Sequence, residues 1–384
     1  MIGVAALCYL PNAVAGGFAI PGQGARAVGM GGAFTAVADD GSAVYYNPAG
    51  MSQIDGTEID NGITFVFPEL KYKQLNGKTQ KSTRSTYGPT LFAVHSFSDK
   101  FSLGLGLYSP FARISKFDDD LASGFRSQKA KMQRIDISPV FSYTLIPGLS
   151  IGGGPIISYS KLYQSIPLGP ILRIKDESDG VGAGGIVGVL WEANKYVNVG
   201  ATYRSRVTVR HDGERKMILG GSEERSDAIA DFHYPGSLSM GIALKPDDKV
   251  TFAFDTFWYE WTHMDEIITK TNAWPDSTVY LNPSDSWEFR FGGEYRPFDF
   301  IALRAGYGFV QRAWPDSHIL PAKPDADCHE IDSGIGFKWK NINVDLTYSL
   351  TIAGEEKASN NIYGFNGNYN ITQHLFSVFL NIEF

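Results

Sequence analysis

From Phe376 to the last residue the chain alternates without a break. Phe376, Val378, Leu380, Ile382 and Phe384 take one set of positions; Ser377, Phe379, Asn381 and Glu383 take the other. A period of two puts each set on its own face of a strand. The pattern recurs upstream. Trp287, Phe289, Phe291 and Tyr295 oppose Glu288, Arg290, Glu294 and Arg296, and Ile342, Val344, Leu346, Tyr348 and Leu350 oppose Asn343, Asp345, Thr347 and Ser349. Ile135, Ile137, Phe141, Tyr143 and Leu145 oppose Arg134, Asp136, Ser138, Ser142 and Thr144. A closing strand that ends on an aromatic residue predicts a barrel whose last strand pairs with its first. No run of eighteen apolar residues exists, which excludes helical membrane spans but not a membrane barrel, whose strands show only every second residue to lipid.

About fourteen such segments are expected, of roughly ten residues or more each, as tilted bilayer-spanning strands require. They start near Thr57, Thr83, Lys100, Met132, Leu149, Gly180, Lys195, Asp231, Asp247, Ser286, Phe298, Cys328, Asn341 and Asn370. Connections alternate in length. Phe97-Ser98-Asp99-Lys100, Ile146-Pro147-Gly148, Pro246-Asp247-Asp248 and Arg296-Pro297-Phe298 read as tight periplasmic turns. Residues 73–82, 112–131, 164–179, 211–230, 264–285, 312–327 and 354–369 read as long extracellular loops. Aromatics at 13% and 42 glycines suit a curved sheet with aromatic girdles, and suit helices poorly. Arg290, Glu294, Arg304, Asp332, Asp345 and Glu383 fall on inward faces, where they are expected to pair with one another or with a plug.

Ile2 to Val14 is almost wholly apolar, and Ala13-Val14-Ala15 has the form of a signal-peptidase site. Residues 1–15 are expected to be a signal peptide that takes Cys8 with it. Cys328 then stands alone, so neither an intrachain disulfide nor a zinc site is expected. Residues 16–56 are rich in glycine and alanine and do not read as strands. Asp40 or Ser42 could cap a short helix that Pro48 ends. Such a segment, ahead of a barrel at 57–384, is placed to plug the lumen. The expected fold is therefore all-β: a 14-stranded antiparallel transmembrane β-barrel with a small N-terminal α-helical hatch in its lumen.

The run Gly29-Met30-Gly31-Gly32-Ala33-Phe34, then Ala38-Asp39-Asp40 and Asn47-Pro48-Ala49, with Asp99 to Gly104, Thr202-Tyr203-Arg204-Ser205 and the C-terminal aromatic, resembles the FadL/TodX-type (OMPP1) family. That family comprises outer-membrane transporters of long-chain fatty acids and hydrophobic compounds. The resemblance spans residues 16–384. It implies a hatch motif at Asp39, Asp40, Asn47, Pro48 and Ala49, and a kinked third strand opening sideways to the membrane. Here that strand carries Gly104, Gly106, Tyr108, Ser109, Pro110 and Phe111. The physics agrees: Pro110 has no amide hydrogen for a ladder, and the glycines weaken the strand around it. A bulge without a port is the alternative. Phe117, Leu121 and Phe125, spaced as one helix face, with Met132 beyond, suggest a hydrophobic outer loop; Asp118, Asp119 or Asp120 would cap it.

The resemblance implies energy-independent transport in the outer membrane of a Gram-negative bacterium. Ligand would be captured at the outer loops, passed to a lumen pocket and released laterally, so that its tail stays in apolar surroundings throughout. Ser109 matches a family position near the ligand's carboxylate, and Lys161 and Arg204 are further candidates for head-group contact. The family's basic partners have no counterparts at the matching positions, which keeps aromatic hydrocarbons open as substrates. A water-filled porin is the other alternative. Expected partners are a hydrophobic small molecule, outer-membrane lipid and lipopolysaccharide, and the barrel assembly machinery acting on Phe384. A monomer is expected. No basic stripe marks a nucleic-acid surface at a net charge of −7. The histidines lack metal-ligand spacing, and no Gly-x-Ser-x-Gly elbow appears, so neither an enzyme nor a cofactor is expected. Gly180 to Gly185 lacks the Lys-Ser/Thr and helix of a phosphate loop and reads as a curved strand.

Overall fold

The computed structural model describes residues 20, 22–118, 128–168, 171–321 and 323–384. The signal-peptide expectation, Leu121 and Phe125 lie outside the described residues. Twenty strand segments form one sheet: β1 (Thr57–Gln74), β2 (Thr79–Ser82), β3 (Thr86–Ser98), β4 (Phe101–Phe117), β5 (Gln128–Ile146), β6 (Leu149–Leu168), β7 (Leu172–Asn194), β8 (Val197–Arg204), β9 (Val207–Leu219) and β10 (Ser222–Tyr234), followed by β11 (Ser237–Asp247), β12 (Val250–Tyr259), β13 (Glu266–Thr271), β14 (Ser277–Tyr280), β15 (Ser286–Phe298), β16 (Ile301–Val310), β17 (Cys328–Trp339), β18 (Ile342–Ala353), β19 (Glu356–Ala358) and β20 (Gly367–Glu383). Six pairs (β2/β3, β8/β9, β10/β11, β12/β13, β14/β15 and β18/β19) are single staves broken by an irregularity, so the twenty segments make fourteen antiparallel staves.

The barrel closes as its last strand predicts. β20 pairs with β1 from Glu58↔Glu383 to Gln74↔Gly367, and Phe384 exchanges backbone hydrogen bonds with Thr57 at 2.8 and 3.1 Å. Outward positions carry an apolar belt that includes Phe65, Leu105, Ile137, Phe141, Phe291 and Val378, all exposed. Closure of β20 on β1 removes the free edge that a lipid surround would penalise.

Four expected loops, 73–82, 164–179, 211–230 and 264–285, are sheet hairpins instead, the last with Glu266 opposite Tyr280. β7 begins at Leu172 rather than near Gly180, with Leu168 opposite Leu172 at the hairpin tip. β10 begins at Ser222 rather than near Asp231, with Ser222 opposite Leu219. These hairpins stand above the belt with water on their outer side, so their polar alternation reads as loop. Residues 73–82 are likewise a hairpin, with Lys73 opposite Thr79. Phe117 ends β4 and Met132 lies in β5, both buried.

The hatch sits inside, as α1 (Ala25–Gly29), α2 (Ala43–Tyr46) and a 3₁₀ turn at Pro48–Gln53. Ser42 occupies the N-cap of α2 without a side-chain cap bond; its Oγ and N–H instead donate to Asp40 Oδ1 at 2.6 and 2.9 Å. α2 ends at Tyr46, with Asn47 before Pro48 extended, and Pro48 itself starts the next turn, where its missing N–H costs nothing.

Candidate functional site: a plugged lumen with a gap in its wall

The lower lumen is a network of charges around the hatch. Glu294 is the hub, accepting from Arg26 of the hatch at 2.9 Å, from Arg304 at 2.6 Å and from Arg296 at 2.7 Å. Arg26 also meets Asp39 at 2.6 Å and Asp40 at 3.3 Å, and Arg304 meets Asp345 at 2.5 Å. Arg290 binds Glu288, Glu330 and the backbone oxygen of Gly31 at 2.7 to 2.9 Å. Asp255 accepts from the amides of Phe34 and Thr35 at 2.8 and 2.7 Å. Asp332 is buried in the same region, whereas Glu383 lies at the rim, paired with Lys338 at 3.0 Å. A polar cavity of about 290 Å³, lined in part by Arg26, Asp39, Asp40, Glu58 and Asp60, opens below the hatch.

Asn47-Pro48-Ala49 is where the hatch meets the wall. Asn47 donates to the backbone oxygens of Thr35 at 2.9 Å and Val189 at 3.0 Å, and accepts from Ala49 N at 3.2 Å. The wall opposite is Gly152 and Gly188: a Cβ on either would run into Pro48, Ala49 or Asn47. The glycines of β4 act in the same way. Gly104 and Gly106 are fully paired in the ladder, opposite Val94 and Phe92, and a Cβ on either would strike Val44 of the hatch at 2.8 Å. Their role here is to let the hatch approach, rather than to loosen the strand.

The loosening happens higher. β3 and β4 pair only up to Leu91↔Leu107. Above that, the register of β4 on β5 slips by one residue between Tyr108 and Phe111, because Ser109 and Pro110 form a bulge. The strands meet again where Lys116 N donates to Ser82 Oγ at 2.9 Å. Between these points the barrel wall has no β3–β4 ladder. The gap is stoppered by the hatch. Gln23 Nε2 donates to Ser109 O at 3.0 Å, Thr90 Oγ1 donates to Gln23 Oε1 at 3.3 Å, and Ile20 N donates to Pro110 O at 2.9 Å. Gln23 is therefore a side-chain bridge between two strands that do not bridge themselves, and it is itself held through its N–H to Tyr46 Oη at 3.0 Å.

The upper lumen is apolar and aromatic. The Phe111 ring lies 5.1 Å from Tyr234 and 6.4 Å from Trp261, and Trp261 lies 5.0 Å from Trp314. Phe117 and Met132 belong to the same cluster. Into it points Arg113, 4% exposed, none of whose guanidinium nitrogens has a hydrogen-bond partner among the described residues. Across the cluster, in the segment between β16 and β17, Lys323 stacks 3.9 Å over the Trp314 ring, and Asp325 accepts from the amides of Ala313 and Trp314 at 2.7 and 2.9 Å. Burial pushes the Asp325 carboxyl up to about 7 and holds the Lys323 ammonium well below its ordinary range.

The other residues named from sequence fall in different surroundings. Ser109 is buried in the gap, its Oγ donating to Arg134 O at 2.8 Å. Arg204 lies in the lumen below, donating to Tyr108 Oη at 2.9 Å and to Tyr45 O at 2.8 Å, so it ties the hatch to the wall. Lys161 is on the outward face, paired with Glu177 at 3.1 Å. Strand parity explains this: Leu162 and Gln164 point in, so Lys161 points out. Neither Gln23 nor Arg113 carries a local sequence signal. Gln23 meets Ser109 across 86 residues of chain, and Arg113 faces inward only because the bulge reverses the alternation of β4.

A closed fourteen-stave barrel with an apolar belt, a charge-anchored plug and a gap in its wall defines an outer-membrane channel for hydrophobic compounds. The family model for outer membrane protein transport protein (OMPP1/FadL/TodX) matches residues 6–384, and the chain belongs to that family. It is 24% identical over 374 residues to outer membrane protein P1 of Haemophilus influenzae, covering 82% of this chain and 81% of that protein. Its fold matches the crystal structure of a Pseudomonas aeruginosa FadL homologue with a TM-score of 0.87 at 18% identity, covering 96% of this chain and 99% of the other. The Pseudomonas putida toluene transporter TodX matches with a TM-score of 0.80 at 18% identity, covering 95% and 99%.

Proposed function

We propose that this channel carries long-chain fatty acids, or amphiphiles of the same form, by energy-independent diffusion and releases them sideways into the membrane. Ligand enters the aromatic cluster of the upper lumen, with its head group toward Arg113. Withdrawal of Gln23 then opens the gap between β3 and β4. The observation that carries the reading is that gap, closed by the hatch's Gln23 rather than by the sheet. Lateral exit keeps each methylene of the tail out of water, worth about 0.8 kcal/mol apiece. Arg113 supports an acidic head group, because a buried guanidinium without a hydrogen bond is costly until an anion meets it. The ring cluster of Phe111, Trp261 and Trp314 equally suits a monoaromatic hydrocarbon, which is the second reading.

A staple across the gap tests the exit. A Cβ on Gly88 would lie 3.8 Å from Ser109 Cβ, which is disulfide spacing. Gly88→Cys with Ser109→Cys, oxidised in liposomes, is expected to stop uptake of labelled oleate, and reduction is expected to restore it. Full uptake with the staple closed would rule out lateral release here. Sugar leak without apolar uptake in the unmodified protein would favour a porin.

A further inference from the structure

We infer that the outward lysines at the loop end of β1, β2, β4 and β5 form a docking site for a phosphorylated glycolipid of the outer leaflet, of the lipid A kind. The register builds them into a row. Lys71 pairs directly with Lys81, and Lys116 directly with Lys129. The two pairs adjoin, since Lys116 N donates to Ser82 Oγ at 2.9 Å. All four sit at outward positions, alternating with the buried Leu70, Ser82, Ser115 and Ala130. Lys73 and Lys131 flank the row on the same face.

Like charges directly opposite on neighbouring strands repel, so two such pairs side by side need an anion. Among the described residues each pair has one carboxylate in contact. Lys71 meets Glu69 on its own strand, Lys116 meets Asp118 at 3.0 Å, and Lys129 lies 4.7 Å over the Tyr163 ring. Lys73, Lys81 and Lys131 have no ion pair among the described residues. The next sector shows what balance looks like. The row continues through Ser165 to Lys175, Lys216 and Arg225, but there Glu177, Glu214 and Asp227 stand one pair below it on the same face. The first sector carries more lysines than carboxylates among the described residues, and it lies above exposed apolar residues such as Phe67, Leu107 and Ile137. Acyl chains on that belt would hold their phosphates at the height of the lysines, whose long stems reach to meet them. The observations thus fit a ligand with both parts, a phosphate and several acyl chains.

The test uses the full chain in detergent micelles and reads lipid A retention by native mass spectrometry. The variant Lys81→Gln, Lys116→Gln, Lys129→Gln is expected to lose affinity by about tenfold or more, at a few-fold per lysine near a charged surface. Lys175→Gln, Lys216→Gln, Arg225→Gln is expected to change it less than about twofold. Raised salt is expected to weaken the unmodified protein's binding. Heat-modifiable gel mobility reports folding for both variants. Equal loss in the two variants, undiminished binding in the first, or equal retention of dephosphorylated lipid A would each overturn the site. Displacement by inorganic phosphate at concentrations equal to the lipid would do so too, since it would show an anion site indifferent to lipid. Ligand uptake plays no part in this readout, so the inference and the transport reading can fail separately.

Discussion

The two halves of the lumen differ at one arginine: among the described residues the upper half pairs Arg134 with Asp136 at 2.7 Å, as the lower half pairs its own, but not Arg113. Below, Arg26, Arg290 and Arg304 are each bound to two or more acceptors, and the carboxylates between them bind the hatch to the wall. Above, Arg113 is just as buried and has no hydrogen bond among the described residues. A satisfied buried network fixes one arrangement, whereas an unsatisfied one leaves free energy to be recovered by a partner. The lower half is thus built to hold the plug still, and the upper half to receive something.

The largest expected effect lies at the hub of the lower half. Glu294→Gln takes the shared anion from Arg26, Arg296 and Arg304, which keep only Asp39, Asp40 and Asp345. Losing one partner of a buried ion pair costs about 3–5 kcal/mol. We expect the hatch to loosen, sugar leak through liposome-inserted protein to rise at least roughly tenfold, and amide exchange across residues 25–46 to speed up while the strands stay protected. A tight, non-leaking variant would show that packing alone seats the hatch.

The matching change above is Arg113→Leu. It removes a buried cation with no hydrogen bond among the described residues, so it is expected to leave the barrel equally stable or more so, opposite in sign to Glu294→Gln. Half-saturation for oleate is expected to rise roughly tenfold or more, the worth of one charge-assisted hydrogen bond. Toluene uptake is expected to stay within about twofold. If both ligands suffer alike, Arg113 shapes the pocket and the acidic head-group reading falls.

Gly104→Val probes the contact between hatch and wall. Its new side chain would meet Val44 and Met51 of the hatch, at 2.8 and 2.5 Å from the Cβ alone. Overpacking of this kind costs about 1–3 kcal/mol. We expect a leak smaller than that of Glu294→Gln and a lower denaturation midpoint. Gly354→Val, whose Cβ would meet nothing, is the variant in which seating of the hatch should not change.

How much of this was legible depends on whether the information is local. The alternation of Phe376 to Phe384 and of Trp287 to Tyr295 is local, and it carried the staves, their facing and the closure. Asn47-Pro48-Ala49 is local and marked the hatch, but the glycines that receive it, Gly152 and Gly188, read only as weak strand. The hairpins above the belt read as loops because water on their outer side removes the apolar half of the pattern. Arg113 fell inside what read as the loop at 112–131. Its inward aim needs the Ser109-Pro110 bulge to slip the register, and Pro110 marks a break without giving its size. Gln23 carries no signal, since its partners Thr90 and Ser109 are set only by the closed barrel.

The smallest expected effect sharpens the comparison at the roof of the upper half. Asp325 holds the amides of Ala313 and Trp314, and burial raises its carboxyl to about 7, with Lys323 and Arg113 as the cations facing it. A folded-state value above the unfolded one of about 3.9 means that the folded segment binds the proton more tightly. Its contribution is complete below about pH 4 and is lost as pH rises through about 7. Across about pH 5.5 to 7 the loss is roughly 1–2 kcal/mol. Lys323, lowered when folded, works in the opposite sense, gaining stability as pH rises, so the raw pH profile mixes the two. Asp325→Asn separates them, because it removes one titration and leaves the other. After correction for intrinsic exchange, the Ala313 and Trp314 amides of the unmodified protein are expected to lose several-fold more protection between about pH 5.5 and 8 than those of the variant. Equal losses would mean that Asp325 stays charged throughout, stabilised by its two amides and the facing cations. The upper half would then already hold an anion for Arg113, and an incoming head group would have to displace it.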